Sequence, residues 1–221
     1  MDLWRGAVMV VLAGIVMGGC TGERSLLRVR QDGDKAYERR EYAKSASDFQ
    51  EYVHRKPGDT QGHFKYGRAL LVLGQSEQAS EHLRIAYDND PTKEEHARLF
   101  AQSLFESGQT GELMRVLKVR ASDSGAVADF LLLGFYAAKA GDPDEAQTAL
   151  LTAARLDRGR STEPQLALAG FFESIGDAAR AKERLRMALY LDPTNTEVAS
   201  RLRSLGEIPG PSLAIQPTEM D

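Results

Sequence analysis

The sequence predicts an all-α protein, a solenoid of about five stacked helical hairpins closed by a further C-terminal helix. Three observations predict it. Between Thr60 and Pro91, small and apolar residues fall at Tyr66, Gly67, Leu70, Leu71, Gly74, Ala79, Leu83, Ala86 and Pro91. That is the pattern of an amphipathic helix, a glycine turn, a second amphipathic helix and a stop. The turn glycine returns at Gly108, Gly141 and Gly176, about every 34 residues, the period of a helical repeat array. Composition agrees, since 221 residues with 42% hydrophobic and 27% charged side chains can bury one continuous core.

Taken in order, residues 1–19 read as a signal peptide. Met1-Asp2-Leu3-Trp4-Arg5 precedes an apolar run from Ala7 to Met17 and then Gly18-Gly19-Cys20. A spanning helix needs about 20 apolar residues, and this run is too short before small residues intervene. Met17-Gly18-Gly19-Cys20 resembles the bacterial lipobox, in which the cysteine thiol is acylated before cleavage. Cys20 is the single cysteine, so no intramolecular disulfide exists, and lipidation accounts for it better than a buried leftover thiol does. Residues 20–24 then form the lipidated cysteine and a short linker. In that family the residue after the cysteine influences sorting, and Thr21 there implies the outer membrane, facing the periplasm.

Residues 25–206 hold the repeats. Repeat one carries Gly33, Tyr37, Tyr42 and Phe49 and ends at Pro57, with Arg40 in place of the turn glycine. Repeat two is the reference unit. Repeat three takes Ala101, Leu104, Phe105, Gly108 and Leu117, but has Leu113 and Arg120 where small residues belong. Its second helix is therefore expected to be short, from about Glu112 to Val119, with the stack bending at Ser122-Asp123-Ser124. Repeat four takes Gly134, Gly141, Ala146, Leu150 and Ala153 and ends at Arg158; repeat five takes Ala169, Gly176, Ala181, Leu185, Ala188 and Pro193. Asp142-Pro143-Asp144-Glu145 opens a helix with a capping Asp and a Pro at the first helical position, while Thr92 with Glu95 and Thr194 with Glu197 have capping-box spacing. The last of these opens a helix from about Asn195 to Leu205 that caps the stack. Residues 207–221, with three prolines and no helical period, are expected to form a disordered tail. The alternative for that tail is a short recognition segment using Leu213, Ala214 and Ile215.

These residues make the chain similar to the tetratricopeptide-repeat (TPR) family. The family places a small residue inside each first helix, here Gly33, Gly67, Ala101, Gly134 and Ala169. It places others in the second, here Ser45, Ala79, Ala146 and Ala181, then Ala86, Ala153 and Ala188, with Pro57, Pro91 and Pro193 at the exits. A glycine inside a helix costs about 1 kcal/mol relative to alanine, so its recurrence implies a close neighbouring helix. Leucine at Gly67 or Gly134 should overpack the core, whereas alanine should be mild.

Chemistry is not signalled. His54, His63, His82 and His96 have no partner at the spacing that sets two ligands on one helix face. No glycine-rich phosphate loop follows a strand, and no Ca²⁺-loop spacing occurs among the acidic runs. No cofactor or metal and no catalytic residue is expected. The formal net charge of −4 gives no nucleic-acid footprint.

In TPR arrays the first helices line a concave groove. The resemblance assigns to it Arg30 and Tyr37, then Phe64, Arg68 and Leu71, then Arg98, Gln102 and Phe105, then Leu131, Phe135 and Lys139. Aromatic, aliphatic and guanidinium groups of this kind make binding hot spots. The Lys and Asn clamp that some TPR modules use for chaperone carboxylates is not reproduced, since Phe64, Arg68 and Gln102 stand there. The segment from Ala126 to Ala140 is apolar on nearly every face and so implies a covering partner, a second subunit or the curl of the array. The resemblance therefore implies a membrane-anchored scaffold that binds a protein or peptide in its groove, serving envelope assembly (pilus, secretin or outer membrane). Exopolysaccharide export and a self-associating structural role are the alternatives.

Overall fold

The computed structural model describes residues 23–220. The expected signal peptide and Cys20 lie outside the described residues. Among these the chain forms eleven α-helices and no strand: α1 (Leu26–Glu38), α2 (Tyr42–Arg55), α3 (Thr60–Val72), α4 (Ser76–Asn89), α5 (Glu94–Glu106), α6 (Thr110–Ser124), α7 (Val127–Lys139), α8 (Pro143–Asp157), α9 (Glu163–Ser174), α10 (Ala178–Leu191) and α11 (Thr196–Ser204). They pair as five successive hairpins, each second helix also packing on the next first helix, and α11 closes the array on α10. Among the described residues no helix is long and apolar enough to cross a membrane.

The hairpins turn where the period places the glycines. Gly74, Gly108, Gly141 and Gly176 all have φ between 72° and 81°, a left-handed conformation that returns the chain on itself. Gly74 N–H then donates to Leu71 O, and Gln75 N–H to Leu70 O, both at 2.9 Å. Arg40 adopts φ 64° in the first hairpin, where the same two bonds form, from Arg40 N–H to Tyr37 O and from Glu41 N–H to Ala36 O. A side chain there costs about 1–2 kcal/mol, so tertiary packing of α1 on α2 holds the turn against its local preference.

Small residues face the partner helix as expected. An alanine methyl at Gly67 would sit 2.6 Å from Cγ of Leu83 and 3.2 Å from the carbonyl of Ala79; at Gly134 it would sit 2.6 Å from Leu150 Cγ. The expectation that alanine is mild there is thus corrected, because the branch point of a buried leucine, rather than its mobile end, occupies the space.

Repeat three forms a regular hairpin, and the predicted short helix with a bend is corrected. Helix α6 runs 15 residues to Ser124 and stops at Gly125, φ 62°. Leu113, fully buried, fills the place where other second helices carry a small residue, and α5 and α6 approach less closely than the other hairpin pairs. Arg120 leaves the core for an ion pair with Asp129 of α7 at 2.5 Å, their side chains 9% and 4% exposed. The same guanidinium donates to the carbonyl of Pro91, and the Ser124 hydroxyl donates to Asp129. One departure from the pattern, Arg120, is therefore answered by Asp129 across the α6–α7 junction.

Of the predicted caps, Asp142 accepts from Glu145 N–H, with Pro143 opening α8. Thr92 and Thr194 do not cap. Each donates its hydroxyl to the preceding aspartate, Asp90 or Asp192, and Asn195 caps α11 instead. The segment expected to be a disordered tail lies packed on the last hairpins through residue 220. The Glu207 carboxylate pairs with Arg186, Leu213 and Ala214 pack on the cluster around Leu185 and Val198, and Glu219 pairs with Arg184. Composition did not reveal this, because the attachment combines a few long-range ion pairs with isolated apolar contacts at Leu213 and Ala214 rather than a periodic apolar face.

Removing one partner of a buried ion pair strands the other's charge, at a cost of about 3–5 kcal/mol. Arg120→Ala should therefore destabilise the array by about that amount in urea unfolding, and Arg120→Met with Asp129→Leu should recover much of the loss. A single variant as stable as the parent would show the pair to be dispensable.

Candidate functional site

The first helices form the inner layer. Helices α3 and α5, and α7 and α9, touch directly, whereas among the described residues no two second helices come as close. An array whose first helices are crowded and second helices spread is concave on the first-helix side. Most of the groove residues expected from the sequence lie there, but they divide into two recesses.

The first recess, about 310 Å³, is lined by Tyr37, Arg68, Leu71, Val72, Glu95, Arg98, Leu99 and Gln102. The Arg68 guanidinium stacks 4.0 Å from the Tyr37 ring centre and 5.9 Å from that of Phe64. Its Nε is buried without a hydrogen-bond partner among the described residues. Two guanidinium groups thus face one lining carboxylate, Glu95. Gln102 is turned aside, its amide donating to Glu106 at 2.8 Å, and the Ser76 hydroxyl holds the other Glu106 oxygen.

The second recess, about 430 Å³, lies between α7 and α9 and is lined by Leu131, Gly134, Phe135, Ala138, Lys139, Leu150, Ala167, Gly170, Phe171 and Ser174. Phe135 is 50% exposed. Lys139 Nζ stands 4.8 Å from the Phe135 ring centre and 5.5 Å from that of Phe105, and so spans the junction between α5 and α7. Phe105 also lies 5.5 Å from Tyr136. Burial pushes the Tyr136 hydroxyl up to about 12, the Glu106 charge adding and Arg98 opposing, so that phenol stays neutral at physiological pH.

Two expected groove residues belong to the core. Phe64 is 3% exposed and its ring lies 4.6 Å from that of His96, so the next helix covers it. Leu71 is also buried and offers the first recess only an edge. Arg30, on α1, is exposed and lines neither recess. The α9 wall was missed. Its signal was in the phase, for Gly170 occupies the register of Arg68, Gln102 and Phe135, and the absent side chain there opens the second recess.

A histidine pair was missed as well. His63 Nδ1 lies 2.9 Å from His82 Nδ1, across α3 and α4, and His63 Nε2 lies 2.9 Å from the Pro57 carbonyl. A carbonyl only accepts, so His63 carries its proton on Nε2 and its Nδ1 accepts from His82. Burial, reinforced by His63 and opposed by Glu81, holds the His82 imidazole below its ordinary range, favouring its neutral form. Among the described residues no group of three or more His, Cys, Asp or Glu is gathered to hold a metal.

Five helical hairpins of this phase, with small residues at the hairpin contacts and a concave first-helix surface, define an all-α solenoid of the TPR type. Comparison agrees. A family model described as "Tetratricopeptide repeat" matches residues 32–94. TTC0263, a thermophilic TPR protein of Thermus thermophilus, superposes with a TM-score of 0.55 at 20% identity, covering 82% of this chain and 98% of its own. MamA from residue 41 onward, from Desulfovibrio magneticus RS-1, gives 0.61 at 16% identity, covering 77% and 97%. YrrB, described as a TPR protein with an unusual peptide-binding site, gives 0.55 at 12%, covering 81% and 92%. No curated protein sequence matches the chain.

Phe64 and Phe135 separate core from surface. Phe64→Ala should cost about 3–5 kcal/mol in urea unfolding, and Phe135→Ala less than about 1 kcal/mol. The reverse order would place the recess on the wrong face of α7.

Proposed function

We propose that the chain is a non-catalytic scaffold that holds an extended segment of a partner protein along its first helices, tethered to a bacterial membrane through acylated Cys20 and serving envelope assembly. The observation that carries the reading is the pairing of two unlike recesses on one concave surface. One presents Arg68 and Arg98 and suits an acidic group, while the other presents half-exposed Phe135 above a buried floor that includes Phe171 and suits an apolar side chain. Lys139 between Phe105 and Phe135 adds a cation to the path between them. The peptide-binding site ascribed to YrrB supports a peptide ligand by analogy of fold alone. Half-exposed Phe135 also favours a second reading, self-association through α7.

Crosslinking in intact cells, followed by identification of the captured proteins, tests the reading. Truncating a true anchor costs about 2 kcal/mol or more, so Arg68→Ala with Phe135→Ala should release the captured partner while helicity by circular dichroism stays at the parent level. Retained capture by the folded double variant would end the groove reading, and light scattering that shows a dimer broken by Phe135→Ala would replace it with self-association. Stable attachment needs more than one acyl chain. Cys20→Ser should accordingly move the protein from the membrane fraction to the soluble one, and unchanged fractionation would refute the anchor.

A further inference from the structure

Away from both recesses, on the side of the second helices, α10, the first turn of α9 and the α8–α9 turn form a small polar site. Gln165, 2% exposed, and Arg184, with its side chain 14% exposed, face each other at 3.1 Å from Oε1 to Nη1. With residues 217–220 in place the guanidinium is enclosed, and Gln165 satisfies it only in part. The chain supplies one from its own final segment. Glu219, its side chain 6% exposed, accepts from Arg184 Nη1 at 2.5 Å on one oxygen and from the Gln165 amide at 3.2 Å on the other.

The residues around Glu219 are seated less deeply, Met220 remaining 41% exposed. Pro217 is buried, and Thr218–Met220 forms one 3₁₀ turn against α8. Met220 lies against the backbone of Gly159, where φ is 69° and a Cβ would stand 2.5 Å from Met220 Cγ. The carboxylate socket thus reads the acidic side chain, and the bare backbone of Gly159 takes one side of the apolar one beside it. Burial alone would raise the Glu219 carboxyl, but the Arg184 guanidinium more than offsets this and holds it below the usual carboxylate range.

We infer that Arg184, Gln165 and Gly159 form a docking site for an acidic peptide of the type Pro-x-Glu-Met, which the chain's own residues 217–220 occupy in cis. The final segment is thus a built-in competitor. A partner segment with a carboxylate followed by a flexible apolar side chain binds only when residues 217–220 leave. The site is independent of the concave surface, so it survives failure of the groove reading.

The probe is a fluorescent peptide of residues 213–220, amidated so that its terminal carboxylate cannot stand in for Glu219. Fluorescence anisotropy measures its binding to the full chain. Glu219→Lys places a cation against Arg184 and expels the segment, so this variant should bind the peptide about tenfold or more tighter than the parent chain does. Adding Arg184→Ala should return binding to the parent level, and a peptide with Glu219→Gln should lose about tenfold. Circular dichroism and urea unfolding of each variant confirm that the repeats remain folded. No binding to the folded Glu219→Lys chain would overturn the inference. So would binding that ignores Arg184, or a concentration-dependent dimer of the parent chain that Glu219→Lys dissolves, which would assign the site to exchange of segments between copies.

Discussion

The whole array depends on how near two helices of one hairpin can come. Leu83 lies over Gly67, and Leu150 lies over Gly134, at separations that leave no space for a methyl group. With that spacing fixed, the next residue along each first helix is forced onto the concave side, and the hairpin after it must repeat the same geometry. Contacts between neighbours therefore propagate the fold, as in other repeat arrays. Residues that break the local pattern are tolerated only where another contact compensates. Arg40 turns the chain in a conformation its side chain disfavours, and Leu113 is accommodated by a wider hairpin.

Much of this was legible because it is local. A turn glycine, a capping Asp before Pro143 and the repeated small residues each act within a few positions, so a period of about 34 residues exposes them. What was illegible joins residues far apart in sequence. The Arg120–Asp129 pair looked like a defect in repeat three, and the histidine pair spans two helices rather than one face. Residues 207–220 carry no helical period, and apart from Leu213 and Ala214 their attachment was hidden because Glu207 and Glu219 gain meaning only beside Arg186 and Arg184. The capping boxes at Thr92 and Thr194 failed for a short-range reason, since Asp90 and Asp192 took the hydroxyls first.

The candidate site shows the same division. Phase alone set Phe64 and Phe135 on first helices facing inward, yet one is sealed under His96 and the other stands open. The difference lies in the following repeat. Helix α5 lies across Phe64, whereas α9 presents Gly170 and Ala167 to Phe135 and leaves a hollow. At Phe135 the opening is thus set by the small residue one period later, Gly170, a signal readable in sequence but absent from a search for large or charged side chains.

The wide α5–α6 hairpin has a mechanical consequence. The backbones of α5 and α6 stand farther apart than those of the other hairpin pairs and are bridged by long side chains such as Leu113, so the most openly spaced joint of the array lies in its middle. The cationic recess, on α1, α3 and α5, and the apolar one, on α7 and α9, sit on either side of that joint. Flexing there changes the span between them. A bound segment that engaged both would act as a strut, and the energy needed to bend the array would rise with occupancy.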